Sequence, residues 1–233
     1  YEGLIGSANK TLDWLYKLGA WLPDLDTVRV QGEGDNLRIN VIASPGINLA
    51  LLRKGLAQEF GANVLVKTAA GQSPTQGSRR YNAISGLLEQ FSKVAWLPVY
   101  NFTASQKICS NASKDILKNG LMFLPNKESL TVLSTRTINV LAGLIKHCLS
   151  QTDLKVEVLV QIESQDQDEN AQKLSLSRAR VVQDALIARG VSRNQIRARA
   201  GRDSHLLGID VASIGNNHIE IIWPRLKDAS TGN

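Results

Sequence analysis

One stretch, residues 163–204, constrains the fold of this 233-residue chain more than any other part of its sequence. A polar turn is followed by apolar residues at helical spacing, then by a glycine and a second short apolar segment. The sequence therefore predicts a helix over residues 170–189, with strands at 154–162 and 196–200 on either side. The residues that carry this pattern are Glu163-Ser164-Gln165-Asp166, Leu174-Ser175-Leu176-Ser177-Arg178-Ala179, Val182, Leu186, Gly190-Val191, Ile196, Ala198-Arg199 and Asp203-Ser204.

The segment from Leu174 to Leu186 follows the pattern L-S-x-x-R-A-x-x-V-x-x-x-L. This pattern resembles the OmpA-like domain family, and the match is specific because helix register and loop length must both agree. The resemblance implies an α+β fold with the order β-α-β-α-β-β and with the helices on one side of the sheet. It also implies a non-catalytic function, since domains of this family anchor periplasmic envelope assemblies to peptidoglycan.

The same resemblance implies a ligand-binding site. In the family, an Asp ends the second strand and an Arg follows 15 residues later on the next helix, and both contact the diaminopimelate residue of the wall peptide. Glu163 and Arg178 stand at that spacing here. The carboxylate would take the ligand's ammonium group, and the guanidinium would bind a ligand carboxylate through two parallel hydrogen bonds. Asn170 lies next to the position of the family's helix-entry Asn.

Several positions depart from the family pattern and leave a second function open. Ile162 replaces a Thr, Asp166 replaces the Gly that turns the loop, and Asn217-His218 replace two Arg residues. Asp166 also adds negative charge beside a ligand that itself carries carboxylates. The alternative is a structural subunit of an envelope or secretion assembly that keeps the fold without binding peptidoglycan. Glu163 and Arg178 would then form an ordinary salt bridge, worth at most about 1 kcal/mol.

Cys109 and Cys148 lie far apart in the sequence, which is neither a metal-binding pattern nor a redox C-x-x-C pair. From the residues alone, they are either two buried thiols or a disulfide. Some OmpA-like domains carry one Cys before the first strand and another at the end of the first helix, so the resemblance implies the disulfide. It would stabilise the fold by about 4 kcal/mol and would indicate an oxidising compartment, the bacterial periplasm.

The net charge of +6 is compatible with nucleic acid, anionic lipid or an anionic wall polymer. The basic residues are scattered without interleaved aromatic residues, so we expect no nucleic-acid partner. The three histidines lack metal-ligand spacing, and no nucleophile–base pair or cofactor loop is recognisable. We therefore expect no enzymatic activity, no metal and no cofactor. Because no apolar run is long enough to span a bilayer, membrane attachment would need a segment outside this chain.

The first part of the chain predicts a separate small domain. Residues 1–70 follow the order helix–strand–strand–helix–strand, which weakly resembles a BON-type domain. We expect this domain to contact other proteins of an envelope complex. Residues 71–104 are predicted to form a Gly- and Ser-rich linker, then a helix at Tyr81–Val94 and a short strand at 96–102.

The second part of the chain predicts the OmpA-like domain itself, over residues 105–225. Its first strand is predicted at Gly120–Leu124, a short apolar run that precedes a polar turn. Residues 226–233 are predicted to be a disordered tail.

Overall fold

In the computed structural model, the chain is α+β and divides into two compact units, residues 1–96 and 97–233. No helix within the described residues is long and apolar enough to cross a membrane. The predicted tail at 226–233 lies outside the described residues. The structure describes residues 13–31, 38–61, 64–69, 73–118, 121–124, 127–162, 169–201 and 217–225.

Within the described residues, the first unit contains α1 (residues 13–19), β1 (Leu25–Gln31), β2 (Arg38–Ala43), α2 (Leu49–Phe60) and β3 (Val64–Thr68). The three strands form one sheet, with β2 in the centre, antiparallel to β1 and parallel to β3. Helix α2 makes the crossover that two parallel neighbours require. The predicted order of helix, strand, strand, helix and strand is therefore confirmed.

One face of this sheet is apolar because the side chains of β2 alternate between its two faces. Val41 is buried on that face, and Leu52 and Leu56 are buried on α2. Helix α2 begins at Asn48, whose side chain accepts a hydrogen bond from the first turn, and ends at Gly61, which has a φ of 75°. These local signals place α2 against the buried face and leave the other face uncovered by it.

A second sheet follows in the order β4 (Arg79–Asn82), β5 (Leu87–Ser92) and β6 (Ala95–Pro98). The helix predicted at Tyr81–Val94 is therefore wrong. The apolar residues of this segment have helical spacing, but a local turn reverses the chain and prevents a continuous helix. The side-chain oxygen of Asn82 accepts hydrogen bonds from the amides of Ile84 and Ser85, and Gly86 has a φ of 68°. These contacts turn the chain back into a β4–β5 hairpin.

The second unit contains α3 (Gln106–Leu117), α4 (Ser134–Gln151), β7 (Val156–Ile162), α5 (Glu169–Ala188), β8 (Ile196–Ala200) and β9 (Asn217–Ile222). Strand β7 is central in the sheet, parallel to β8 and antiparallel to β9. Helix α5 packs on β7 and β8, and α4 packs on α5. The predicted helix at 170–189 and the strands at 154–162 and 196–200 are confirmed to within two residues.

The predicted strand at Gly120–Leu124 is wrong as a member of this sheet. Among the described residues of that segment, only Phe123 forms a β-bridge, and its partner is Leu130. The backbone of Met122 is bound instead by Ser134 at the start of α4. The Ser134 hydroxyl lies 2.8 Å from the Met122 amide nitrogen and 3.0 Å from its carbonyl oxygen. Because these polar groups are satisfied locally, the segment needs no strand partner there.

Helix α3 is not evident from the sequence, because its residues are mostly polar and its position depends on contacts that are remote in the chain. It packs on β9 and on α4. The indole Nε1 of Trp223 donates to the Ser113 hydroxyl over 3.1 Å, and the Gln106 side-chain amide donates to the Trp223 carbonyl over 2.7 Å. Trp223 and Ser113 are both buried, so these hydrogen bonds join α3 firmly to the end of β9.

A disulfide joins α3 to α4. It links Cys109 to Cys148, whose Cα atoms are 6.3 Å apart and whose side chains are fully buried. The disulfide that the family resemblance implied is therefore present. Ser113 lies one helical turn after Cys109, so the disulfide and the contact with Trp223 hold the same face of α3.

We expect the double substitution Cys109→Ala/Cys148→Ala to lower the free energy of unfolding by about 4 kcal/mol, because the unfolded chain regains the entropy of a long loop. Urea unfolding of the two proteins measures the difference. A reducing agent should destabilise the wild type by a similar amount and leave the double variant unchanged. Equal stability of oxidised wild type and double variant would contradict the prediction.

Gly143 lies inside α4, where the helix approaches the end of β6. A Cβ at this position would lie 2.6 Å from the carbonyl oxygen of Pro98 and 3.1 Å from its Cδ. Both atoms belong to a buried residue and lie on or next to the backbone, so they cannot move away cheaply. Only glycine therefore allows this close approach.

We expect Gly143→Ala to destabilise the protein by about 1–3 kcal/mol, because overpacking outweighs the better helix propensity of Ala. Gly19→Ala in α1 is the matched control, since no described atom lies within 4 Å of the place that its Cβ would occupy. The control should be neutral or slightly stabilising in thermal unfolding. Similar melting temperatures for the two variants would refute the steric argument.

Candidate functional site

Arg178 lies on α5, and its side chain is only 4% exposed. The same face of the helix buries Ala179, Val182 and Leu186, which are fully inaccessible. Helical spacing therefore carries Arg178 inward together with the apolar residues that pack on the sheet. The guanidinium is a buried cation at the edge of an apolar core.

Two residues from the segment before α4 surround this guanidinium. Its central carbon lies 4.8 Å from the centre of the Phe123 ring, which is a cation–π distance. Its Nε donates a hydrogen bond to the backbone carbonyl of Lys127 over 3.0 Å. The guanidinium packs on the Phe123 ring and donates a hydrogen bond to the backbone carbonyl of Lys127. Together these two contacts hold the plane of the guanidinium in one orientation.

Burial lowers the pKa of Arg178 from its usual value, because desolvation disfavours the charged form. An Arg guanidinium remains protonated at any pH at which the protein is folded. A guanidinium interacts favourably with carboxylate and phosphate groups. The described residues of the arrangement therefore provide a positive charge that is suited to an anionic group.

The predicted partner, Glu163, lies outside the described residues, as do Asp166 and Asp168. Strand β7 ends at Ile162, directly before Glu163 in the chain, and α5 begins at Glu169. Asn170 is exposed in the first turn of α5. The roles of Glu163 and Asn170 in ligand binding stay predictions, and Arg178 is the predicted site residue whose surroundings are known.

Phe123 and Lys127 are neighbours of Arg178 that the sequence does not reveal. The sequence patterns place Phe123 in a strand of the sheet and Lys127 in a polar turn. Both residues lie about 50 positions before Arg178 in the chain, and neither contact has a spacing that a sequence pattern records. The only signal is the position of their segment directly before the predicted first helix.

A half-buried Arg, Arg189, lies directly after the last residue of α5. The Nε of Arg189 donates to the side-chain oxygen of Asn139 on α4, and its Nη1 donates to the Ala185 carbonyl over 2.8 Å. Burial lowers the pKa of Arg189 as well. These partners belong to the protein's own helices, so Arg189 ties α5 to α4 and is a structural residue.

His147 on α4 is tied to the segment that precedes α3. It is half-buried, its Nε2 lies 2.8 Å from the Phe102 carbonyl oxygen, and its ring lies 4.5 Å from the Phe102 ring. The neighbouring Cys148 is in the disulfide and has no free thiol to activate. Among the described residues, no group of three potential ligands could hold a metal ion.

Several solved structures are similar to this chain, and three of them each have a TM-score of 0.36. The periplasmic domain of Helicobacter pylori MotB is 16% identical over 45% of this chain and 68% of that one. The peptidoglycan-associated lipoprotein of Burkholderia pseudomallei is 21% identical over 47% of this chain and all of that one. The OmpA-like domain of FopA1 from Francisella tularensis is 22% identical over 45% and 70%. No protein-family model and no curated protein matches the chain.

We expect Arg178→Ala to destabilise the second unit by about 1–3 kcal/mol, because it removes a buried stem, a cation–π contact and the donor to Lys127. Arg180→Ala is the matched control, since Arg180 is exposed on the same helix and carries the same charge. The control should change the free energy of unfolding by less than about 0.5 kcal/mol. Urea unfolding measures both, and equal effects would show that Arg178 has no special packing role.

Proposed function

We propose that this chain is a non-catalytic anchor that binds the diaminopimelate-containing peptide of peptidoglycan and tethers an envelope complex to the cell wall. The observation that carries the proposal is the setting of Arg178, a buried cation on the face of Phe123. Its position on α5 coincides with the Arg of the family pattern in Leu174–Leu186. A cation at that position is what recognition of a ligand carboxylate needs.

The proposed contact uses two charges of opposite sign. Arg178 binds a carboxylate of the diaminopimelate residue, and Glu163 binds its ammonium group. The hydrogen bond from Arg178 to Lys127 leaves the guanidinium in one plane, so little side-chain entropy is lost when the ligand binds. Asn170, in the first turn of α5, supplies a further polar contact in this proposal.

The proposed location is the periplasm. A buried disulfide between Cys109 and Cys148 supports it, because disulfides persist in oxidising compartments. The first unit would make contacts with other proteins of the envelope complex.

A second candidate function is favoured by the burial of Arg178. In this alternative the chain is a structural subunit of an envelope or secretion assembly, and its OmpA-like fold no longer binds peptidoglycan. Arg178 is 4% exposed and its guanidinium is hydrogen-bonded to Lys127, as expected of a residue that holds two segments together. The loss of the loop Gly at Asp166 and of two Arg at 217–218 points the same way.

Co-sedimentation with purified peptidoglycan sacculi tests the proposal. We expect the wild type to sediment and Glu163→Gln and Arg178→Lys each to weaken binding by about 10- to 100-fold, since each removes a charge-assisted hydrogen-bonding geometry. Glu169→Gln and Arg180→Lys are the matched controls, because both residues are exposed on α5. The controls should bind within about twofold of the wild type.

Three results would separate the two functions. Loss of binding in both site variants, with folded protein by circular dichroism, supports the wall anchor. Sedimentation of the wild type that neither site variant changes means that the family site is not used. Failure of the folded wild type to sediment at all refutes wall binding and favours the structural subunit.

A further inference from the structure

The face of the first sheet that is turned away from α2 carries a group of basic side chains. On β2, Arg38, Asn40 and Ile42 alternate with the buried residues that face α2, so they point to the opposite side. Asn40 is paired with Arg29 on β1 and with Leu65 on β3, and Ile42 is paired with Lys67. Directly paired residues lie on the same face, so all six side chains belong to one surface, which we call the basic sheet face.

The charge of this face is predominantly positive. Arg29, Arg38 and Lys67 are exposed, and none of them forms an ion pair with another described residue. Asn40 and Ile42 lie between them and carry no charge. The nearest carboxylate on these strands is Asp26, which lies at the bulge where the β1–β2 register shifts. The face is therefore a local excess of positive charge in the part of the unit that the structure describes.

The three cations are spread out and do not converge on one point. They lie on three different strands and in three different rows of the sheet. Strand spacing and residue rise place their Cα atoms roughly 8–14 Å apart. A single small anion could contact only one of them, whereas an extended polymer with repeated negative groups could contact all three.

We propose that the basic sheet face is a second contact with the cell wall, which binds the carboxylate-bearing peptides of peptidoglycan without regard to their sequence. This inference rests on the proposed function, because it assumes that the chain lies against the wall. It adds a separate surface in the first unit, whereas the proposed function uses Arg178 and Glu163 in the second. The contact is electrostatic and is therefore weakened by salt.

Other anionic partners fit the face less well. Single-stranded nucleic acid is bound on exposed aromatic side chains, and the paired positions around Asn40 contain none. A protein interface normally has an apolar centre, but among the described residues of this face Leu65 is the only strongly exposed apolar side chain. A lone Leu also gives little apolar area for insertion into a membrane. A polymer of carboxylates needs only the spaced cations that are present.

The test measures binding of the whole chain to sacculi in 50 mM and 500 mM NaCl. The sheet variant is Arg29→Gln/Arg38→Gln/Lys67→Gln. Its control is Lys54→Gln/Arg79→Gln/Lys107→Gln, which removes the same charge from exposed positions elsewhere. At low salt we expect the sheet variant to bind roughly tenfold more weakly than the wild type, and the control to stay within about twofold. At high salt the wild type and the sheet variant should bind equally.

Glu163→Gln, measured in parallel, separates this inference from the proposed function. Weak binding of Glu163→Gln together with equal binding of the sheet variant and its control overturns the sheet contact alone. Unchanged binding of Glu163→Gln with weak binding of the sheet variant supports the sheet contact and refutes the Glu163 site. A folded wild type that does not sediment overturns both. If the sheet variant keeps full binding to sacculi but loses binding to phosphatidylglycerol vesicles, the face belongs to a lipid surface and the inference is wrong.

Discussion

The packing of one face of α5 on β7 and β8 is the constraint on which the second unit depends. Ala179, Val182 and Leu186 are completely buried, and so are the alternating valines of β7, which are Val156, Val158 and Val160. Because a helix is rigid, the rotation that buries these residues also sets the direction of every other side chain on α5. Arg178 is turned inward by the same rotation, so the core and the candidate site cannot be adjusted independently.

This coupling explains why a charged residue is tolerated next to the core. Burying a cation is costly unless polar or aromatic groups replace part of its hydration. Phe123 and the carbonyl of Lys127 supply such groups, and both come from the segment that precedes α4. That segment is hydrogen-bonded to Ser134. The same hydrogen bonds therefore keep the segment out of the sheet and place its residues against Arg178. A substitution at the start of α4 would therefore alter the surroundings of Arg178 without any direct contact with Arg178.

Sequence patterns predict the elements whose signals are local and miss those that depend on distant contacts. The helix α5 and its flanking strands are recognisable because apolar periodicity and the terminal Gly190 agree. The hairpin at 79–92 is not, because the turn at Asn82 outweighs the helical spacing of apolar residues around it. At the site, Arg178 follows from spacing, whereas Phe123 and Lys127 meet it only through the tertiary fold, which no short pattern encodes.

The two proposed wall contacts differ in a way that makes them complementary. The contact at Arg178 requires a ligand of defined shape, because its guanidinium is buried and held in one plane. The basic sheet face is exposed and spread out, so it selects for charge alone and binds weakly at any one point. When two weak contacts belong to one chain, the first raises the effective concentration for the second, and the combined affinity can exceed either by a factor of about 10²–10⁴. Two such contacts on one chain would together bind a polyanionic polymer more tightly than the Arg178 contact alone.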